Sequence, residues 1–432
     1  MVLPVRGLRR AGPGGGSGHR PAARGDPDLR PHEARLLRTR ILYAALGLFL
    51  VSFSLLYVGF YHHKLIRDTV EYYRYGIAIA HGELPYRDFR VEYPPGSLPL
   101  FALPALGRPG FNRFQWEFQV LVGLLAGGAM VAMASVLDSL RASTRRYAGA
   151  LFFFALAPLA LGSVLIYRYD IWPTALAVAG LAAILCRRER LGFVSLGVGF
   201  AAKIFPGVLV PPALAYVWRT RGRREALVCL GAAAAAVAII VVPFAVLAPH
   251  GLWTSVHDQA GRPLQIESLG SSILLAAHQA GGLHLHVITS HGSQNLAGSL
   301  PDSLGLVQTL LLAAVMLGAW IAFALGPPDP ERLVRYSAAC VTAFVAFDKV
   351  LSPQFMIWLL PLVPLVRGRR GLAATALLGV ALVLTQLWFP TRYFDLARGL
   401  AAFPSWLVLA RDLVLLALLT TLLVPARAAA RS

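Results

Sequence analysis

A polytopic bundle of membrane-spanning α-helices is the fold class this sequence predicts, and three observations predict it. Of its 432 residues, 57% are hydrophobic and 14% charged, with a mean hydropathy of +0.62. A soluble domain carries about 25% charged residues, so an ordinary soluble enzyme is excluded. Apolar runs separated by short Arg-rich loops recur over nearly the whole length, as in polytopic helical membrane proteins. The runs are continuously apolar and do not alternate with period two, which excludes a membrane β-barrel.

The elements follow in order. Residues 1–40 are rich in Arg, Pro and Gly without periodicity and read as a disordered cytoplasmic tail. No short apolar segment with a small-residue cleavage site precedes the first run, so Ile41 to Tyr61 reads as an uncleaved first span. Further spans are expected at 116–138, 147–166, 171–186, 191–203, 205–217, 226–248, 306–325, 337–348, 354–366, 372–390 and 406–424. That makes about 12 spans in a transmembrane domain over 41–424, with both termini cytoplasmic and a short C-terminal tail at 425–432. The segments assigned to the inside hold 26 of the 40 Lys and Arg, in the short, almost purely Arg loops the positive-inside rule describes. The formal charge of +19 is therefore read as orientation in a cell membrane, with no nucleic-acid partner. Residues 94–106 are apolar but short and hold four prolines, so they are expected to lie along the outer membrane surface. Residues 191–217 begin and end beside Arg clusters, which puts Lys203 to Pro206 at the outer turn of two short helices. Cys186, Cys229 and Cys340 fall in or beside spans with no CxxC partner, so neither a disulfide framework nor a zinc site is expected.

With this orientation the unusual polar residues fall on one side. The first outer loop, 62–115, carries Asp68, Glu71, Glu83, Asp88 and Glu92 interleaved with tyrosines, Tyr93 among them. Arg168 and Asp170 follow the third span, and Lys203 sits at the next outer turn. The long outer loop 249–305 holds His257, Arg262, Gln265 and Glu267. Lys349, Gln354 and Arg392 complete the set. Composition disfavours lysine, with 37 Arg against 3 Lys, yet Lys64, Lys203 and Lys349 all fall on the outer side. Taken singly, each polar residue reads as a solvated loop residue; converging from five or more segments, they read as a site. Arg411 and Asp412 lie inside the last span and read as a structural ion pair. His278, His284, His286 and His291 match no zinc motif, so no metal and no cofactor is expected.

The chemistry narrows from there. The chain has no G-x-G-x-x-G after a strand and no Walker A, and nucleotide-activated donors are not supplied outside the cytosol. An activated group would have to arrive on a lipid phosphate. Moving a sugar off such a phosphate needs one carboxylate to take the acceptor's proton and cations for the negative charge that develops on the phosphate. Aromatic rings can stack on sugar faces. A single inverting displacement needs one base, whereas a retaining glycosidase needs two close carboxylates.

D-x-x-x-Y from Asp68 to Tyr72 and G-x-x-P-Y-x-D-F-x-x-E-Y-P-P-G from Gly82 to Gly96 resemble the first outer loop of glycosyltransferase family 87. Arg168 to Pro173, Ala202 to Pro206, Arg262 to Ser268 and Lys349 to Gln354 resemble that family in the same order. The resemblance implies a GT-C fold with interfacial helices in the first outer loop. It implies a polyprenyl-phosphate sugar donor, mannose by the family's usual assignment, and a glycolipid, glycan or protein acceptor at the extracytoplasmic face. It also implies an Asp in the first outer loop as the base, which Asp68 fits by position, with Asp88 its rival. On this reading Arg168, Lys203, Lys349 and Arg392 bind the donor phosphate. Asp88, Glu92, Tyr93, Asp170, His257, Arg262, Gln265, Glu267 and Gln354 are the substrate-binding candidates. An arabinofuranosyltransferase with a polyprenyl-phosphate donor is the alternative enzyme, and a lipid flippase or secondary transporter the alternative of another class.

Reporter fusions test the sidedness. A phosphatase joined within 82–92 should be active and a cytosolic reporter there silent; the reverse result removes the basis for an outward-facing site.

Overall fold

The computed structural model describes residues 31–61 and 66–424. The expectations for residues 1–30, for Lys64 and for the tail at 425–432 lie outside the described residues. The helix α1, Pro31–Ser54, starts ten residues before the first apolar run, which corrects the disordered-tail expectation at 31–40. Pro31 suits a first helical position because its fixed φ matches the helix. Arg38 then ties this extension down, bonding the Asp138 carboxylate at 2.6 Å and the carbonyl of Ala142.

The expected spans are helical over most of their length except 354–366, where only Met356–Leu359 is α-helical. After α1 come α2 Thr69–Ala80, α3 Leu98–Ala102, α4 Phe111–Ser139, α5 Thr144–Leu161, α6 Val164–Tyr167, α7 Ile171–Leu185 and α8 Glu189–Ala202. Then come α9 Val210–Arg221, α10 Arg223–Leu247, α11 Pro249–Ala260, strand β1 Leu264–Gln265, α12 Leu269–Gly281 and strands β2 His286–Ser290 and β3 Ser293–Ala297. The chain ends with α13 Ser299–Leu325, α14 Pro330–Phe347, α15 Met356–Leu359, α16 Gly368–Gln386, α17 Tyr393–Gly399 and α18 Ala402–Leu423. Among the described residues six helices are long and apolar enough to cross a membrane: α1 with the turn after it, α4, α10, α13, α16 and α18. The other stretches are shorter, broken or more polar. The 15 residues of α7 reach only about 22 Å at 1.5 Å per residue, and 353–365 is a run of short turns around α15. Such breaks are tolerated at membrane depth when protein covers them. Here α7 is sandwiched by α4 and α8, and α8 packs on α10.

The charged residues sort to the two ends of this bundle. At one end Arg146 forms a two-pronged pair with Glu331 at 2.6 and 2.8 Å, Arg190 pairs with Glu225, and Arg221 pairs with Glu189. These are the ends that the sequence assigns to the inside. At the opposite end lie α2, α3, the turn after α6, the break after α8, α11, the strands and the start of α18.

The segment 94–106 forms α3 flanked by two short 3-10 turns. One side is buried, with Phe101 and Ala105 fully enclosed, while Leu103 and Leu106 are exposed. Gly96 is the contact point with the bundle. A Cβ there would lie 2.6 Å from backbone atoms of Ala201 and Ala202, and the Gly96 carbonyl accepts a bond from Trp172 Nε1 at 3.0 Å.

The long outer loop contains structure that its composition conceals. Strands β2 and β3 pair antiparallel and β1 adds to β3, giving the order β1-β3-β2. His291 and Gly292 make the two-residue turn, with φ of 52° and 66°. Two consecutive positive φ values are the mark of a type I′ hairpin, usually signalled by Asn-Gly or Asp-Gly. His-Gly hides that signal in the sequence.

Gly96→Ala should loosen the seating of the first outer loop on α8. Overpacking of this kind costs about 1–3 kcal/mol, so a thermal-shift assay in detergent should find a lower Tm; an unchanged Tm would mean that the loop does not bear on α8.

Candidate active site

The site grows from the turn between α6 and α7. Arg168 leaves the helix in extended conformation, with φ −125° and ψ 141°, and its guanidinium is almost completely buried. Asp68 lies immediately before α2. Its carboxylate does not cap that helix but pairs with Arg168. One helical turn on, Tyr72 donates from its hydroxyl to Asp68 Oδ2 at 3.5 Å. The D-x-x-x-Y spacing thus works as an i,i+4 contact. Asp68 does not pair with its neighbour Arg67, which bonds Gln115 instead. The Asp68 side chain is 29% exposed against 7% for Arg168, so the acid is the member of the pair open to a substrate.

Behind Arg168 stand further acids. Asp170 and Glu267 are its electrostatic neighbours, as is Tyr393. Burial pulls the Arg168 guanidinium down to about 10, and the acids oppose that shift. Asp170 is 1% exposed and accepts from Lys203 Nζ at 2.5 Å and from Trp358 Nε1 at 2.8 Å. Lys203 ends α8 in extended conformation and lies 4.8–5.2 Å from the ring centres of Tyr169, Phe355 and Trp358. Burial lowers the affinity of its amine for a proton, and Asp170 opposes this. The pair is enclosed by aromatics, the setting in which cation–π attraction is strongest.

A second group gathers on the turn 264–268. Gln265 Nε2 donates to Glu267 Oε2 at 3.0 Å and to Ser352 Oγ at 2.8 Å, and the Gln265 backbone N–H donates to the Lys349 carbonyl. Glu267 is fully buried, and burial raises its carboxyl to about 8, opposed by Arg411, Arg168 and Arg262. Arg262 bonds Ser293 on the hairpin at 2.9 Å and has Glu92, Asp348, Tyr93 and Glu267 as charge neighbours. Asp348 is raised to about 6, again chiefly by burial. Tyr393, at the start of α17, is raised by burial above the ordinary tyrosine range and faces Glu267, Arg168 and Arg262.

Of the residues expected from the sequence, the structure brings together Asp68, Glu92, Tyr93, Arg168, Asp170, Lys203, Arg262, Gln265 and Glu267. It does not draw in the rest. Asp88 is exposed in a turn, holding Arg87 and the Leu84 N–H. His257 is exposed on α11 beside Trp253. Arg392 is exposed and lies over the Phe403 ring at 4.8 Å. Lys349 turns its amine to the Ala260 carbonyl at 3.2 Å, so it does not join Lys203 in a phosphate clamp. Gln354 is half-buried, and its neighbour Ser352 makes the contact to Gln265. The tyrosines of the first loop are not an open sugar platform. Tyr72 stacks on Phe101 at 4.5 Å, Tyr93 meets Tyr169 edge-on at 5.0 Å, and Tyr72, Phe101 and Tyr169 are buried in one aromatic nest.

Two residues take part beyond what the sequence reading assigned them: Tyr393, adjacent to the expected Arg392, and Arg411, which reads from the sequence as a structural ion pair with Asp412 and also donates from the last span to the Glu267 carbonyl at 2.6 Å. A tyrosine beside a basic residue was a weak signal for the first. For the second, the charge inside an apolar helix was the signal, but its partner lies 144 residues away. Among the described residues no group of three or more His, Cys, Asp or Glu is placed to hold a metal ion.

The titration of Glu267 has a definite sign. Its folded pKa of about 8 exceeds the ordinary 4.5, so the folded state holds the proton more tightly and stability declines as pH rises from about 4.5 to about 8. Wild type should lose Tm between pH 6 and pH 9, and Glu267→Gln should flatten part of that loss; equal slopes would show that Glu267 does not titrate in this window.

Comparison with known proteins gives the family. No curated protein matches the sequence. Among solved structures, the chain is similar to ArnT from Cupriavidus metallidurans bound to undecaprenyl phosphate, with 16% identity and a TM-score of 0.46, covering 89% of this chain and 76% of that one. It is also similar to the Archaeoglobus fulgidus oligosaccharyltransferase in its apo form, with 13% identity and a TM-score of 0.45, covering 88% of this chain and 54% of that one. The family model for glycosyltransferase family 87 matches residues 92–353, a stretch that includes Arg168, Asp170, Lys203, Arg262 and Glu267 and begins after Asp68. A polytopic helical chain with this ordered set of polar turns, matched over more than half its length, belongs to glycosyltransferase family 87 and is a membrane glycosyltransferase.

Proposed function

We propose that this glycosyltransferase moves a hexose, mannose in the first instance, from a polyprenyl-phosphate carrier to a glycolipid, glycan or protein acceptor at the extracytoplasmic face, with inversion. The observation that carries the reading is the Asp68–Arg168 pair: an acid open to one side, joined to a buried cation that other acids hold from behind. Asp68 is the base and Arg168 the principal phosphate ligand. Lys203 and Arg262 contribute positive charge nearby, and Glu92, Tyr93, Asp170, Gln265 and Glu267 shape the substrate site. Undecaprenyl phosphate in the similar ArnT structure is the kind of carrier that this reading requires.

The acceptor hydroxyl oxygen attacks the anomeric carbon from the side opposite the phosphate. The new C–O bond forms as the bond to the phosphate oxygen breaks, and the electron pair stays on that oxygen. The hydroxyl proton passes to Asp68. In the resting pair Arg168 meets Asp68 Oδ2. When the phosphate arrives, the guanidinium can turn part of its donor set toward it, which frees Asp68 to accept a proton. Donors already fixed in a dry site need little reorganisation as charge develops on the leaving phosphate.

Asp68→Asn keeps the shape and removes the base. Transfer from a radiolabelled polyprenyl-phosphate sugar by the purified protein should fall by about 10²–10⁴-fold, with the protein still folded but its Tm lowered because Arg168 loses one counter-charge, while Asp88→Asn should stay near wild type. Retention of activity by Asp68→Asn would place the base on another acid and end this assignment.

A further inference from the structure

Arg411 is the tenth residue of α18 and is completely buried in an otherwise apolar helix. A guanidinium there is costly unless it is paired and hydrogen-bonded. Its sequence neighbour Asp412 provides charge contact at 2.7 Å from Nε, not aligned as a hydrogen bond. The well-formed bond goes elsewhere: NH2 donates to the backbone carbonyl of Glu267 at 2.6 Å. Asp412 in turn meets Ser272 on α12, just beyond the same turn. An ion pair serving only the helix bundle would have no need to reach this loop.

The turn that Arg411 grips is fastened on its other sides as well. The Ile266 N–H donates to the Gln294 carbonyl on the hairpin, and the Gln265 N–H donates to the Lys349 carbonyl. Gln265 also holds the Glu267 carboxylate and Ser352 with its side chain. These contacts come from β3 and from the 349–352 turn. The last membrane helix reaches the Glu267 backbone through Arg411. Glu267 is also the acid that backs Arg168 from this direction.

We propose that Arg411 is a positioning residue for sugar transfer, pinning the Glu267 carbonyl so that the Glu267 carboxyl stays behind Arg168 and the Arg168 guanidinium faces Asp68 and the donor phosphate. The inference rests on the reading that Arg168 meets that phosphate. Arg411 touches no reacting atom; it acts through Glu267 and Arg168.

Removing one partner of a buried pair leaves the other charge uncompensated. The test therefore uses Arg411→Lys, which keeps the charge, and the double variant Arg411→Met with Asp412→Asn, which removes both. Both are made in the full chain, purified in detergent. In the double variant, amide exchange over 265–268 should quicken by about tenfold or more while α4 and α10 exchange as in wild type. Its kcat should fall by about 100-fold with a much smaller change in KM, the pattern of misplaced catalytic groups. Arg411→Lys should recover part of the kcat. Exchange unchanged at 265–268, or kcat within about threefold of wild type, would overturn the proposal. Should wild type transfer from no polyprenyl-phosphate sugar, the donor reading fails; the exchange result then decides by itself whether Arg411 positions this turn.

Discussion

The buried Arg168 guanidinium is the constraint around which this end of the molecule is organised. An isolated charge taken out of water costs several kcal/mol even after relaxation, so a cation at this depth requires acids from more than one direction. Asp68 comes from the start of α2, Asp170 from two residues along the same turn, and Glu267 from a turn far along the chain. Each acid needs its own support. Asp170 is held by Lys203 and Trp358, and the Glu267 backbone by Arg411. The last helix, the break after α8 and the 353–365 turns are thereby drawn to one place. Arginine suits this role because it stays charged under burial and offers several donors in a rigid fork.

The two ends of the bundle use similar residues to different effect. At the end with the Arg-rich loops, the Arg190–Glu225 pair is substantially exposed, and an exposed pair contributes little stability. Such pairs tie helix ends together. At the opposite end Lys203, paired with Asp170, is enclosed by Tyr169, Phe355 and Trp358. Burial raises the Glu267 carboxyl to about 8, and the nearby arginines oppose that rise. Short and broken helices make this enclosure possible: they bring side chains from helix ends into the bundle, and the covering helices protect the interrupted backbone.

The legibility of this site differed by residue. Asp68 and Tyr72 were readable because their contact is local, one helical turn in length. Arg168, Asp170 and Lys203 were readable because each sits at a break in an apolar run, where a charge has to be accounted for. Asp88, His257, Arg392 and Lys349 share that chemistry and that side of the chain, yet they face solvent or other partners. Composition does not distinguish a charge turned inward from one turned outward. The hairpin at 286–297 was hidden because His291 replaces the usual Asn or Asp before Gly292.

By itself, the sequence determined the class of the protein, the positions of its apolar segments and the family whose motifs it carries. These properties depend on composition and short-range spacing, which the linear chain contains directly. Only the tertiary structure decided that Arg168 pairs with Asp68 rather than with a neighbour, that Lys203 and Lys349 take separate partners, that the tyrosines form a buried nest, and that Arg411 reaches Glu267. These contacts span roughly 30 to 150 residues of chain. Each is selected by which neighbour can neutralise a charge or satisfy a hydrogen bond once water has been excluded.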